Sequence, residues 1–257
     1  MTRLRFEAAA FFFALQFLTR VPIPAGIAFT SERFAAAPRY YPLVGGLVGF
    51  LCAALYLGLI HVFPNTLAVI VVTAFGILLT GAFHEDGLAD TFDGIGGGQT
   101  REAALEIMKD SRLGTYGTLA LGMTVAAKIA ALAALPNMTV LTALMAAHAL
   151  SRLSSLVVLR TSQYQRAYGT AKPVSDGMSN ASLFVGATFS AFWTIPLYLS
   201  SGMGLITCGL AGMAAGHIGA RAVYQRKIGG YTGDTLGAVQ QLSELGFYIG
   251  AATWLFG

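Results

Sequence analysis

Long apolar segments dominate this chain and leave few folds open to it. Seven of them follow residue 42, and each is about the length that an α-helix needs to cross the ~30 Å hydrocarbon core of a bilayer. The sequence therefore predicts an all-α fold, a polytopic membrane helix bundle with about seven transmembrane helices. The predicted segments are 43–63, 66–83, 114–135, 138–159, 183–200, 203–220 and 236–256.

The composition excludes a soluble globular protein. Of the 257 residues, 55% are hydrophobic and only 11% are charged. The net charge is +4, but the basic residues are scattered singly instead of forming the stripe that binds nucleic acid. Cys52 and Cys208 lie within apolar segments, where we expect no disulfide. The lipid bilayer is the expected partner, and no nucleic-acid partner is expected.

The first 42 residues are predicted to be an N-terminal interfacial segment of one domain that spans 1–257. Their apolar run, 6–18, is too short to cross a bilayer, and prolines at positions 22 and 24 end it. Gln16 and the lack of a small-residue cleavage site argue against a cleaved signal peptide. We therefore predict a retained interfacial or re-entrant helix.

The positions of the basic residues predict the orientation in the membrane. Segment 1–42 contains five of the 16 Lys and Arg residues, and the connections 84–113, 160–182 and 221–235 contain three each. The other connections contain none. By the positive-inside rule, the N-terminus and the charged loops are cytoplasmic and the C-terminus is outside. The prediction is a multi-pass protein of a bacterial inner membrane with a cytoplasmic active site.

An acidic stretch interrupts this apolar pattern between residues 84 and 117, and it contains seven of the 12 Asp and Glu residues. On a helix, Asp86, Asp90 and Asp93 fall within about 60° of one another. Three carboxylates that close repel unless a cation lies between them. Oxygen ligands favour Mg²⁺, with Mn²⁺ as the alternative. Glu85 points off this face and is a ligand only if the backbone bends.

A glycine-rich segment, Gly94-Ile95-Gly96-Gly97-Gly98, follows the acids directly. It is predicted to be a flexible loop in which the N–H groups of Gly96, Gly97 and Gly98 approach a phosphate. Arg101, Lys109 and Arg112 come next and are candidate phosphate partners. The alternative interpretation of residues 84–113 is a solvated acidic turn instead of a catalytic loop.

Several polar residues lie within or beside other apolar segments. Lys128 is predicted to be either a helix-packing residue or a lipid-boundary residue that snorkels, whereas Arg152 is placed to reach an anionic substrate. Asp234 lies next to glycines in loop 227–234, a combination that repeats the first acidic stretch, and is a candidate substrate-binding residue. Glu244 has either a packing or pore role or a place in an interior pocket facing the acids. Loop 160–182, which includes Tyr164, Arg166, Tyr168, Lys172 and Asp176, is long enough to close over a substrate.

Five separated motifs, in order, carry a family resemblance over nearly the whole chain. They are QFLTRVPIP at 16–24, YPLVG at 41–45, HEDGLADTFDGIGGG at 84–98, ALEIMKDSRLGTYG at 104–117 and TGD at 232–234. On these motifs the chain resembles the adenosylcobinamide-GDP ribazoletransferases, also called cobalamin synthases.

The resemblance implies an enzyme of cobalamin biosynthesis. It implies transfer of the cobinamide phosphate of adenosylcobinamide-GDP to α-ribazole or its 5′-phosphate, with release of GMP and a requirement for Mg²⁺. On this basis Asp86, Asp90 and Asp93, with Glu85, are expected to hold the metal. Lys109 and Arg112 are expected to balance charge on GMP. Asp93 or Asp110 is expected to accept the hydroxyl proton.

Two other functions fit parts of the sequence. A CDP-alcohol phosphotransferase shares the pattern Asp-Gly-x-x-Ala, but it has a basic residue where this chain has Asp90. A cation transporter usually has carboxylates near the bilayer midplane, whereas here only Glu244 does. The expected partners are the two substrates, together with a second copy of the chain or other enzymes of the pathway.

Overall fold

The computed structural model describes residues 3–110, 112–166 and 178–256, and their regular structure is helical apart from one isolated β-bridge, between Tyr164 and Tyr231. The all-α prediction is confirmed. The helices are α1 Arg3–Leu18, α2 Ser31–Ala36, a 3₁₀ turn Ala37–Tyr40, α3 Tyr41–Leu59, α4 Asn65–Thr80, α5 Phe83–Gly97, α6 Arg101–Ile107, α7 Thr115–Ala133, α8 Asn137–Thr161, α9 Asn180–Ile228 and α10 Gly233–Phe256.

Within residues 3–110, 112–166 and 178–256, four helical stretches are long and apolar enough to cross a membrane, which makes this an integral membrane protein. They are Ser31–Leu59, Thr115–Ala133, Asn137–Thr161 and Asn180–Ile228, and the bent pair α4 and α5 is a fifth candidate if it counts as one span. The first of these begins before Tyr41, because α2 and the 3₁₀ turn extend it into the last part of the predicted N-terminal segment 1–42.

Helix α9 reverses direction at Gly202, where φ is +76°. A straight helix of 49 residues would be about 73 Å long. Yet Asn180 near its start bonds Arg160 and Arg221 near its end bonds Thr161, so both lie at the C-terminal end of α8. Ser201 instead contacts Thr139 at the other end of α8. The chain therefore forms two antiparallel halves, α9a (180–201) and α9b (203–228).

Glycines allow α9b and α10 to pack backbone against backbone. A Cβ at Gly212 would overlap the carbonyl of Gly246, and a Cβ at Gly250 would overlap the carbonyl of Cys208. Such close approach is a common way for helices to associate in lipid. It fixes α10, whose first turn carries Asp234, against the rest of the bundle.

A sharp corner separates α4 from the acidic helix α5. Gly81 and Ala82 both have left-handed backbone angles, and the two helices meet at 88°. Helix α5 then crosses the start of α10, where a Cβ at Gly87 would lie 2.7 Å from the Asp234 carbonyl oxygen and one at Gly237 would lie 2.9 Å from that of His84. The predicted catalytic loop 84–113 is therefore largely helical, and its first helix is held tightly on α10.

Candidate functional site

A cavity of about 170 Å³ lies where α5 crosses the start of α10, with α1, α3, α8 and residues 164–166 completing its walls. We call it the cleft. Phe17, Tyr41 and Phe83 form an aromatic part of the lining. The polar part is formed by Asp86, Arg152, Arg166 and Asp234.

Carboxylates from two helices meet beside this cleft. Burial, followed by the charges of Asp86 and Asp234, raises the pKa of Asp90 to about 7. Burial also raises the pKa of Asp234. Asp86 and Asp90 lie one helical turn apart on α5, and Asp234 comes from the first turn of α10. These three residues form what we call the acid group, and their mutual repulsion favours a bound cation.

Arg166 is the charged residue of the cleft lining that the sequence did not single out as a site residue. Its Nη2 donates to Asp234 Oδ2 at 2.5 Å, and its Nε is buried without a partner. The sequence did indicate that loop 160–182 could close over a substrate, but no spacing linked Arg166 to Asp234, which lies 68 residues further along the chain. Tyr168, Lys172 and Asp176 of the same loop lie outside the described residues.

Asp93 faces the start of α7 instead of the cleft lining. Its Oδ2 accepts the N–H of Gly114 at 2.7 Å, and its Oδ1 accepts the N–H of Gly117 at 2.8 Å. A carboxylate at this position satisfies amides that the first turn of a helix leaves unpaired and interacts favourably with the helix dipole. Both oxygens are thus engaged, which argues for a structural role over the metal or proton-transfer role predicted for Asp93.

The glycine-rich segment is not the flexible loop that was predicted. Residues 94–97 form the last turn of α5, and the Gly98 N–H donates to the Gly94 carbonyl. Gly94 and Gly98 have no room for a Cβ because α6 packs against them at Ala104. Close helix packing therefore explains these two glycines, while Gly96 and Gly97 lie exposed on the helix surface.

The basic residues that follow the glycines lie away from the cleft lining. The Arg101 guanidinium donates to the Ile228 carbonyl at 3.1 Å and to Gln165 at 2.7 Å, so Arg101 ties α6 to the end of α9. Arg112 forms an exposed ion pair with Asp110. Lys109 is also exposed. A role in substrate binding remains a prediction for all three basic residues.

A buried polar network lies beneath the cleft. Glu244 Oε1 accepts from Lys128 Nζ at 2.8 Å, and its Oε2 accepts from Arg152 Nη1 at 3.1 Å. Gln241 accepts from Lys128 and donates to Glu85 Oε1 at 2.8 Å. Of the two roles predicted for Lys128, packing between helices is confirmed and snorkelling is wrong, because its side chain is buried against Glu244. The interior pocket considered for Glu244 is confirmed.

Two of the predicted site residues therefore belong to this network. Glu85 is bonded to Gln241 on α10, and its other carboxylate oxygen is buried without a partner. Arg152 contacts Glu244 and His148 on one side and lines the cleft on the other. Within the described residues, no three His, Cys, Asp or Glu side chains are close enough together to hold a metal ion by themselves.

Comparison with known proteins gives consistent matches over the full length. Residues 10–252 match the family model described as cobalamin-5-phosphate synthase. The adenosylcobinamide-GDP ribazoletransferase of Leptothrix cholodnii is 44% identical, covering 100% of this chain and 98% of the relative. Proteins of the same name from Ralstonia pickettii (41% identical, 99% of each chain) and Vibrio cholerae (37%, 96% of this chain and 94% of the relative) also match. No solved structure matches.

We expect Glu244→Gln to destabilise the bundle by about 3 kcal/mol, because it leaves Lys128 and Arg152 without their shared carboxylate. Thermal unfolding in detergent measures the effect. Glu106→Gln, at an exposed acid, is the control and should melt like the wild type. Adding Lys128→Met to Glu244→Gln should recover part of the loss, and no recovery would contradict the assigned ion pair.

We expect Asp93→Ala to lower the stability by about 2 kcal/mol through loss of both backbone hydrogen bonds at α7. The loss should be equal in Mg²⁺ and in EDTA. Asp110→Ala is the matched control at an exposed position and should leave the melting temperature unchanged. A loss of stability that appears only in Mg²⁺ would show instead that Asp93 is a metal ligand.

Proposed function

The chain belongs to the cobalamin-5-phosphate synthase family, and we propose that the cleft is where it carries out the family's phosphoryl transfer. The enzyme is an adenosylcobinamide-GDP ribazoletransferase, which acts in the final step of cobalamin synthesis. The observation that carries the proposed site is a single cavity lined by Asp86, Asp234, Arg166 and Arg152, with Asp90 close to both of these acids.

The chemistry of the reaction matches this set of charges. A sugar hydroxyl of α-ribazole attacks the phosphorus attached to the cobinamide arm. A new P–O bond forms to that sugar, the P–O bond to GMP breaks, and the hydroxyl proton passes to a base. Such a transfer depends on positioning and on stabilising negative charge. Arg166 and Arg152 supply positive charge that faces the cavity.

We also propose that Mg²⁺ binds at the acid group. The donor set fits this ion, because it consists of carboxylate oxygens, and the charges of Asp86 and Asp234 help to raise the pKa of Asp90. Mg²⁺ commonly takes one or two protein carboxylates and completes its shell with water and substrate phosphates, so three converging ligands are not required. When bound, the ion would neutralise charge on the diphosphate. One or two carboxylates of the acid group would hold it, and Arg166 keeps Asp234 in position.

The acid group, instead of Asp93 or Asp110, supplies the carboxylates beside the substrate. Asp93 is occupied at the start of α7, and Asp110 is paired with Arg112 in solvent. Every relative named above carries the ribazoletransferase name, so neither a CDP-alcohol phosphotransferase nor a cation transporter gains support. Association with a second copy or with other enzymes of the pathway stays a prediction.

We further propose that the chain crosses the membrane seven times and that the cleft lies on the cytoplasmic side. The reversal of α9 makes two antiparallel segments, which join α3, α4, α7, α8 and α10 to give seven. The ends of α8 and α9b and the acid group then share one side, and this is the side with most of the Lys and Arg residues.

We expect Asp86→Asn to lower turnover roughly a hundredfold or more, since it removes charge from the acid group. GMP release from adenosylcobinamide-GDP and α-ribazole is measured with purified protein over a range of Mg²⁺ concentrations. Glu106→Gln, at an exposed acid of α6, should retain wild-type activity. Unchanged turnover and Mg²⁺ dependence in Asp86→Asn would refute the metal site.

The orientation predicts which cysteines an impermeant maleimide reaches. In a background with Cys52→Ala and Cys208→Ala, Gln99→Cys should react in inside-out vesicles, and His61→Cys should react in intact spheroplasts. Both positions are exposed. The opposite labelling pattern would show that the protein has the reverse orientation in the membrane.

A further inference from the structure

Four polar atoms in the walls of the cleft are buried and have no hydrogen-bond partner among the residues that the structure describes. They are Tyr41 Oη, His84 Nδ1, Arg152 Nε and Arg166 Nε. Tyr41 and His84 are each 5% exposed and Arg152 is 3% exposed. Buried polar groups in folded proteins are nearly always bonded, so a cluster of unbonded ones around a cavity indicates a ligand.

Tyr41 and His84, which carry two of these atoms, belong to a group of aromatic side chains that lines one part of the cleft. The rings of Phe17 and Tyr41 stack at 5.7 Å with an angle of 6°, and Phe83 meets Phe17 edge to face at 5.1 Å. His84 lies against Phe83 at 5.3 Å. Phe83 remains 41% exposed, so protein packing leaves part of this wall open. Phe17, Tyr41, Phe83 and His84 together are called the aromatic wall below.

Such a surface suits a planar base that needs few hydrogen bonds. Aromatic rings favour stacked or edge-to-face partners, and the Tyr41 hydroxyl can donate one hydrogen bond. The two substrates carry different bases. Guanine has several donors and acceptors on its edges, and a mostly apolar wall would leave them unpaired at a large cost. Dimethylbenzimidazole, the base of α-ribazole, has two methyl groups and one unsubstituted ring nitrogen that accepts a hydrogen bond.

We propose that the aromatic wall is the binding site for the base of α-ribazole, with the Tyr41 hydroxyl donating to its free ring nitrogen. This assignment rests on the proposed function of the cleft. It places the sugar of the acceptor towards the acid group, because Phe83 and His84 begin the same helix that carries Asp86 and Asp90. The corrinoid and guanosine parts of the donor then lie outside the aromatic wall.

The test compares Michaelis constants for the two substrates in Tyr41→Phe. This variant keeps the ring and loses the hydroxyl alone, so the KM for α-ribazole should rise roughly five- to tenfold. The KM for adenosylcobinamide-GDP should stay unchanged. Tyr224→Phe is the matched control, because the Tyr224 hydroxyl is also buried and unbonded but lies outside the cleft lining. It should change neither constant.

A substrate analogue tests the proposed hydrogen bond itself. Replacing the free ring nitrogen of α-ribazole with CH should raise its KM in the wild type by a similar factor and should have no further effect in Tyr41→Phe. Equal losses in both proteins would overturn the proposed hydrogen bond.

A rise in the KM for adenosylcobinamide-GDP in Tyr41→Phe would assign the aromatic wall to guanine instead. Absence of GMP release from the folded wild type would refute the proposed function, whereas normal turnover with unchanged constants in Tyr41→Phe would refute only the base site.

Discussion

The charges buried around Glu244 are the interaction on which the rest of the structure depends. One carboxylate on α10 forms ion pairs with both Lys128 from α7 and Arg152 from α8, all within the apolar bundle. An unpaired charge there would be very costly, so the three helices are held in one relative position. Gln241 extends the network to Glu85 and thereby fixes α5, the helix that carries Asp86 and Asp90 of the acid group, to the transmembrane core.

Helix geometry explains why the acids of α5 have different roles although they are close in sequence. Asp86, Asp90 and Asp93 do share a face, as the sequence predicted. From Asp86 to Asp93, however, the helix rises about 10 Å, too far for one ion to contact both carboxylates. Asp86 therefore faces the cleft, whereas Asp93 lies at the start of α7. Glu85 points off this face, towards α10.

The sequence predicted best those features that depend on local pattern. The apolar segments gave the helical class, and the charge pattern located α5 and Asp234. Features that depend on contacts between distant residues were missed, because one sequence does not show which segments meet. Lys128 and Glu244 are 116 residues apart, and Arg166 and Asp234 are 68 apart. The packing of Gly94 and Gly98 against α6 likewise became visible only in three dimensions.

The 88° corner at Gly81 and Ala82 has a consequence for the choice of acceptor. Because α5 begins directly after it, the first residues of that helix and its carboxylates occupy one rigid rod. The span from Phe83 to Asp90 is therefore fixed at about 10 Å by the helical rise. With the base on the aromatic wall and the metal at the acid group, as proposed above, a rod of fixed length would select an acceptor by the separation between its base and its nucleophilic oxygen as well as by the base itself.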